Sequence, residues 1–102
     1  MLQSDQLPGE FVLSVYGEFG APEVKSIKDI LLGLTPGARV VLDFSRAERM
    51  QEFAIASMAE VLEERKETAI RVCGLSRHYE RILAYLGAPL APGSKSRSAD
   101  DS

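Results

Sequence analysis

The sequence predicts an α/β domain: a small, mainly parallel (mixed) β-sheet with helices packed against it, in the order β-α-β-α-β-α. Three observations carry this. Short apolar or alternating runs at residues 11–16, 40–42 and 69–73 take turns with longer stretches of helical periodicity. A helix separates each strand from the next, which implies parallel pairing through right-handed crossovers. The chain has 102 residues, 45% of them hydrophobic, which suits one small core and not two.

In the first strand Phe11, Leu13 and Val15 share one face and Val12, Ser14 and Tyr16 the other. Residues 17–20 read as a loop, after which Pro22 suits the first turn of a helix, where its missing N–H costs nothing. Val24, Ile27, Leu31 and Leu34 keep helical spacing with Ile30 beside them, while Glu23, Lys25, Lys28 and Asp29 take the wet side. Thr35-Pro36-Gly37 breaks that helix. Val40-Val41-Leu42 is a continuous apolar run, as expected of a strand covered on both faces, and Asp43 ends it. Residues 45–50 then read as a polar βα loop.

A second helix follows over about 51–66, with a core stripe of Ile55, Met58, Ala59 and Leu62 flanked by Ala54 and Val61. After the third strand, Ser76 is placed as the N-cap of a third helix whose apolar face is Tyr79, Ile82, Leu83 and Leu86. Gly87 is placed for a left-handed stop. Residues 1–9 form an N-terminal arm or short edge strand, in which Leu2 to Leu7 is the stretch able to pair. Residues 10–87 are the domain. Residues 88–102, rich in Pro, Gly, Ser and charge, read as a disordered tail.

Composition narrows the function. With 12 basic and 15 acidic residues the net charge is −3, which disfavours nucleic acid as a partner, because neutralising phosphates needs a basic face. The single cysteine, Cys73, lies in an apolar run and reads as a small buried hydrophobe. No signal peptide is visible and no apolar stretch reaches membrane-spanning length, so the expectation is a cytoplasmic protein without membrane insertion. His78 is the only histidine, so no metal cluster or catalytic pair can be built around it. Phosphate-cradling glycine loops, nucleophile elbows and zinc spacings are absent, and no cofactor is expected. Arg71, Arg77 and Arg81 with His78 are candidates for a local basic patch or a solvated face.

Three local patterns, in order, carry a family resemblance. Val40-Val41-Leu42-Asp43-Phe44-Ser45 is similar to a strand ending in Asp-Leu-Ser. The helix opening at Gln51 to Ile55 stands where Asp-Ser/Thr-x-Gly-Leu would be. Gly74-Leu75-Ser76 through Ile82-Leu83 to Leu86-Gly87 is similar to a run ending in Leu-x-x-x-Gly. With the first strand and Glu18 as a strand-Gly-Glu opening, the chain resembles the STAS domain, the bacterial sulfate-transporter and anti-sigma-factor-antagonist fold, over about residues 11–87. The resemblance implies a regulatory binding module whose switch hydroxyl sits at the start of the second helix.

At that switch the chain departs from the pattern. Gln51 replaces the usual Asp, Glu52 the phosphoacceptor, Phe53 a usually small residue and Ala54 the Gly. A carboxylate forms no stable phosphoester, so Glu52 is phosphoacceptor-equivalent but not phosphorylatable, and brings one fixed charge to a helix end that attracts negative charge. It either mimics a locked switch or simply favours the first turn of a helix. Phe53 projects with Ala56, Ser57 and Glu60, off the core stripe. It is either a partner anchor or a ring folded back under the 46–50 segment. Ser45 and Ser57 are the nearest alternative hydroxyls.

The expected partner-binding surface is therefore Ser45, Met50, Gln51, Glu52, Phe53, Ala56 and Ser57. The resemblance implies a protein partner, an anti-sigma kinase, sensor or ATPase subunit, and a non-enzymatic regulator. The alternative it leaves is a small cytoplasmic subunit of a lipid-transport ATP-binding-cassette complex. An enzyme built on Asp43, Glu48 and Glu52, near the C-terminal ends of the strands, lacks an accompanying base, nucleophile or cofactor motif.

Overall fold

A computed structural model describes residues 1–35, 37–65, 68–87 and 95–96. The elements run β1 (Leu2–Leu7), β2 (Glu10–Phe19), α1 (Ala21–Leu32), β3 (Arg39–Met50), α2 (Glu52–Glu64), β4 (Ala69–Leu75), α3 (Arg77–Tyr85) and β5 (Lys95–Ser96). They make one mixed sheet in the order β1-β2-β3-β4-β5. β1 pairs antiparallel with β2 from Leu2↔Val15 to Leu7↔Glu10, and the later pairings are all parallel. Of the segment expected to be a disordered tail, only Lys95 and Ser96 are described, as a two-residue strand beside β4; the rest lies outside the described residues.

The core follows the periodicities. Leu13, Val15, Val40, Leu42, Ile70 and Val72 line the covered face of the sheet and are buried. Val24, Ile27 and Leu31 of α1 and the six apolar positions of α2 from Ala54 to Leu62 close over them. The helices lie side by side, α1 against α2 and α2 against α3. Phe19 and Phe44, both fully buried, meet edge to face with ring centroids 5.0 Å apart, an arrangement worth about 1 kcal/mol beyond the area it buries.

Several expectations need correction. β2 does not stop at Tyr16, and β3 does not stop at Asp43. β3 runs on to Met50, pairing Arg46, Ala47, Arg49 and Met50 with Tyr16, Gly17, Glu18 and Phe19. Between Ser14 and Tyr16, and again between Gly17 and Glu18, β3 carries one more residue than β2. These two bulges break the alternation, so the polar segment with only Phe44, Ala47 and, in part, Met50 turned inward looks like a loop in sequence. Gly17 takes φ +66 at the second bulge, a conformation that favours glycine.

The central strand is also not covered on both faces. Val40 and Leu42 are buried, whereas Val41 is only partly so, as are Val12, Tyr16, Arg71 and Cys73 on the same side. Among the described residues no helix covers that side, which carries polar contacts: Arg71 pairs with Glu10 at 3.0 Å and Arg46 lies 5.8 Å over the Tyr16 ring. β4 extends two residues past Cys73, through Gly74 at φ +81 to a buried Leu75. Ser76 is the N-cap residue of α3 but its side chain makes no capping bond, and Leu86 is 47% exposed. Gly87 takes φ +78 after the helix, as a left-handed stop requires. No helix among the described residues is long and apolar enough to cross a membrane.

Candidate functional site: the start of α2

The junction between β3 and α2 is held from two sides. Gln51, extended at φ −91 and ψ 128, is the N-cap residue. Its N–H donates to the Phe19 carbonyl at 3.1 Å and its Nε2 to the Glu18 carboxylate, tying the helix start to the end of β2. The Gln51 side chain lies over Gly20, at ordinary contact distance from where a β-carbon would stand. From the other side, the Tyr79 hydroxyl of α3 donates to the Met50 carbonyl at 3.4 Å. Met50 itself packs against the core.

From this clamped frame two side chains project. Phe53 is 56% exposed, so its ring does not fold back under the 46–50 segment. Glu52 is exposed, with its Oε2 3.2 Å from His78 Nε2 at the start of α3. Ala56 and Ser57 continue the Phe53 stripe, partly exposed, and Glu60 lies beyond them. Six of the seven expected partner-binding residues, Met50, Gln51, Glu52, Phe53, Ala56 and Ser57, are thus brought to one end and one face of α2.

Ser45 is set apart. It lies on β3, not on a loop, five residues before Met50 and on the far side of the second bulge. Its N–H donates to Asp43 Oδ1 at 2.9 Å. Two members of the candidate basic patch are engaged apart from each other. Arg71 is engaged by Glu10 on the open side of the sheet, and His78 faces a carboxylate.

Past Asp43, β3 no longer pairs with β4, and the strands part to leave a polar cleft of about 150 Å³ lined by Ala47, Glu48, Met50, Leu75, Ser76 and Tyr79. Asp43 is turned to its own strand and Glu52 to His78, so the three carboxylates near these strand ends do not converge. No group of three or more His, Cys, Asp or Glu side chains able to hold a metal occurs among the described residues.

Sequence reasoning missed the His78–Glu52 contact. The signal was present: α2 and α3 each follow one of two neighbouring parallel strands, which brings their first turns together.

No protein-family model matches the sequence, and no curated protein matches it. Solved structures do match. The chain is similar to the anti-sigma factor antagonist SpoIIAA in its unphosphorylated form, with a TM-score of 0.68 and 13% identity over 93% of this chain and 90% of that one. It is also similar to a serine-to-glutamate variant of RsbS from Moorella thermoacetica, with a TM-score of 0.59 and 20% identity over 93% of this chain and 84% of that one. The architecture is therefore the STAS fold, the expected α/β arrangement. Of these, SpoIIAA is an anti-sigma factor antagonist.

Proposed function

We propose that the chain is a non-enzymatic protein-interaction module of the anti-sigma-factor-antagonist type, in which the start of α2 meets the partner and Glu52 stands where the switch hydroxyl would be. The observation that carries this reading is Phe53: an aromatic side chain 56% exposed beside the fixed charge of Glu52, on a helix start braced by Gln51 and Tyr79. A rigidly presented aromatic at the centre of a surface is the kind of residue on which binding energy concentrates. Because Glu52 cannot be esterified, the module would engage its partner without being switched at that position.

A subunit of a lipid-transport ATPase complex is the competing reading, and it fits a helix face that stays apolar. Beyond Ala56 and Ser57 the face of α2 is mixed, with Glu60 and Glu64 beside Ala59, so recovery of the partner decides between the two. The test is a tagged pull-down from the native lysate with wild type and Phe53→Asp in parallel. Recovery of an ATPase-fold kinase or sensor by wild type alone is the expected result. Recovery of a transport ATPase would replace the regulator by the transport subunit. Identical lists from both baits would remove the start of α2 as the working surface.

A further inference from the structure

A second surface lies farther along α2. α2 and α3 start side by side, with Glu52 against His78, but α3 has 9 residues and α2 has 13. At 1.5 Å per residue, α2 therefore runs roughly 6 Å past the end of α3. The shortfall leaves a groove of about 380 Å³ lined by Ala56, Ala59, Glu60, Glu63, Glu64 and Leu86. Its floor is apolar and shallow: two alanines, which let another backbone come close, and a leucine 47% exposed at the foot of α3. Its rim carries the exposed carboxylates of Glu60 and Glu64, and among the described residues no Lys or Arg lines it.

We infer that this groove docks an amphipathic helix of a partner protein, one whose apolar stripe is flanked by Lys or Arg. The shape argues for a helix, because a small-residue floor beside a helix accepts a second helix at the usual packing distance of about 8–10 Å. The charge decides its chemistry. A carboxylate rim attracts a basic helix and repels both nucleic-acid phosphates and an anionic membrane surface. This groove shares Ala56 with the surface proposed at the start of α2, and substitutions at Glu60, Glu64 and Leu86 test it at positions outside that set.

The experiment is an amide chemical-shift titration of the full chain at about 0.15 M salt. The probe is a synthetic Leu/Lys amphipathic helix about 18 residues long, with the same pattern carrying Glu for Lys as control. The lysine peptide should shift the amides around Ala56, Ala59, Glu60 and Leu86, and the glutamate peptide should not. Leu86→Asp should weaken binding at least about tenfold. A Glu60→Lys/Glu64→Lys double variant, changed only at exposed positions, should do the same and keeps the test alive if Leu86→Asp fails to fold. Equal binding of both peptides, shifts confined to other surfaces, or affinity untouched by both sets of substitutions would overturn the inference. So would nuclear Overhauser contacts, in the free chain, between Leu86 and residues beyond 87, which would mean that the chain fills its own groove.

Discussion

His78 Nε2 lies 3.2 Å from Glu52 Oε2, so two residues 26 apart in sequence join the first turns of α2 and α3. The contact is exposed on both sides, and such pairs contribute about 0–1 kcal/mol. Its consequence is for the surface, because it fixes where the Glu52 charge sits. His78→Ala and Glu52→Ser should each move the stability by less than about 1 kcal/mol. Glu52→Ser should nevertheless change the affinity for whatever partner is recovered, measured by calorimetry, since it removes the fixed charge. Affinities unchanged by both substitutions would leave Glu52 as an ordinary acidic residue at a helix start.

The Gln51–Glu18 hydrogen bond makes a different prediction. It ties the start of α2 to the end of β2 and so braces the turn from which Phe53 projects. Gln51→Ala should cost about 1 kcal/mol, lowering the melting temperature by about 4–8 °C. Glu18→Ala should cost a similar amount, and the double variant should lose little more than either alone, with a coupling near about 1 kcal/mol. Strict additivity would show that the two side chains do not act together.

The parts of the fold that show in sequence are those where one face meets one core. The apolar stripes of α1 and α2 are read directly from spacing, because Val24, Ile27 and Leu31, or Ile55, Met58 and Leu62, must all point at the same sheet. The second half of β3 is hidden for the opposite reason. Each bulge turns two successive polar residues outward, Ser45-Arg46 and then Glu48-Arg49, and the period of two disappears. The open side of the sheet is hidden as well, since Val41 has the hydrophobicity of a buried residue whichever way it faces. At the site, the local sequence marks Glu52 and Phe53. His78 comes to them only through the order of the strands, a long-range fact with no local signature.

Gly74 is where the sheet divides, and it allows a prediction on stability. At φ +81 it already favours glycine, and a β-carbon there would stand 2.7 Å from Ser45 Cα and 2.9 Å from the Phe44 carbonyl carbon. Those are backbone atoms of β3 at the point where β3 and β4 part, so they cannot move aside without disturbing the buried Phe44 ring. Gly74→Ala should destabilise the domain by about 3 kcal/mol or more, read from denaturant unfolding. Gly37, at φ +89 but with open space around it, provides the comparison: Gly37→Ala carries the conformational strain alone and should cost about 1 kcal/mol. Equal costs at the two positions would mean that the β3 backbone yields freely.

The N-terminal end of α1 supplies a pH-dependent prediction. Partial burial pushes the Glu23 carboxyl upward, but hydrogen bonds from the Gly20 N–H, the amino terminus and its own N–H, with the positive charge of that terminus, outweigh burial and hold it below the usual carboxylate range. The Gly20 N–H donates to Glu23 Oε1 at 2.9 Å, and the Met1 amino group donates to Oε2 at 3.2 Å. A depressed value in the folded state means that the unfolded chain binds the proton more tightly. The stabilisation is therefore fully present above the ordinary glutamate value of about 4.3 and is lost as the pH falls through the lower, folded value. Glu23→Gln should be less stable than wild type by about 1–2 kcal/mol at neutral pH, and the gap should close on acidification, because the protonated wild type and the amide then present similar groups. Chemical denaturation of both proteins between pH 7 and pH 3 measures it directly. A gap that stays constant over that range would show that Glu23 acts through packing at the foot of α1 and not through its charge.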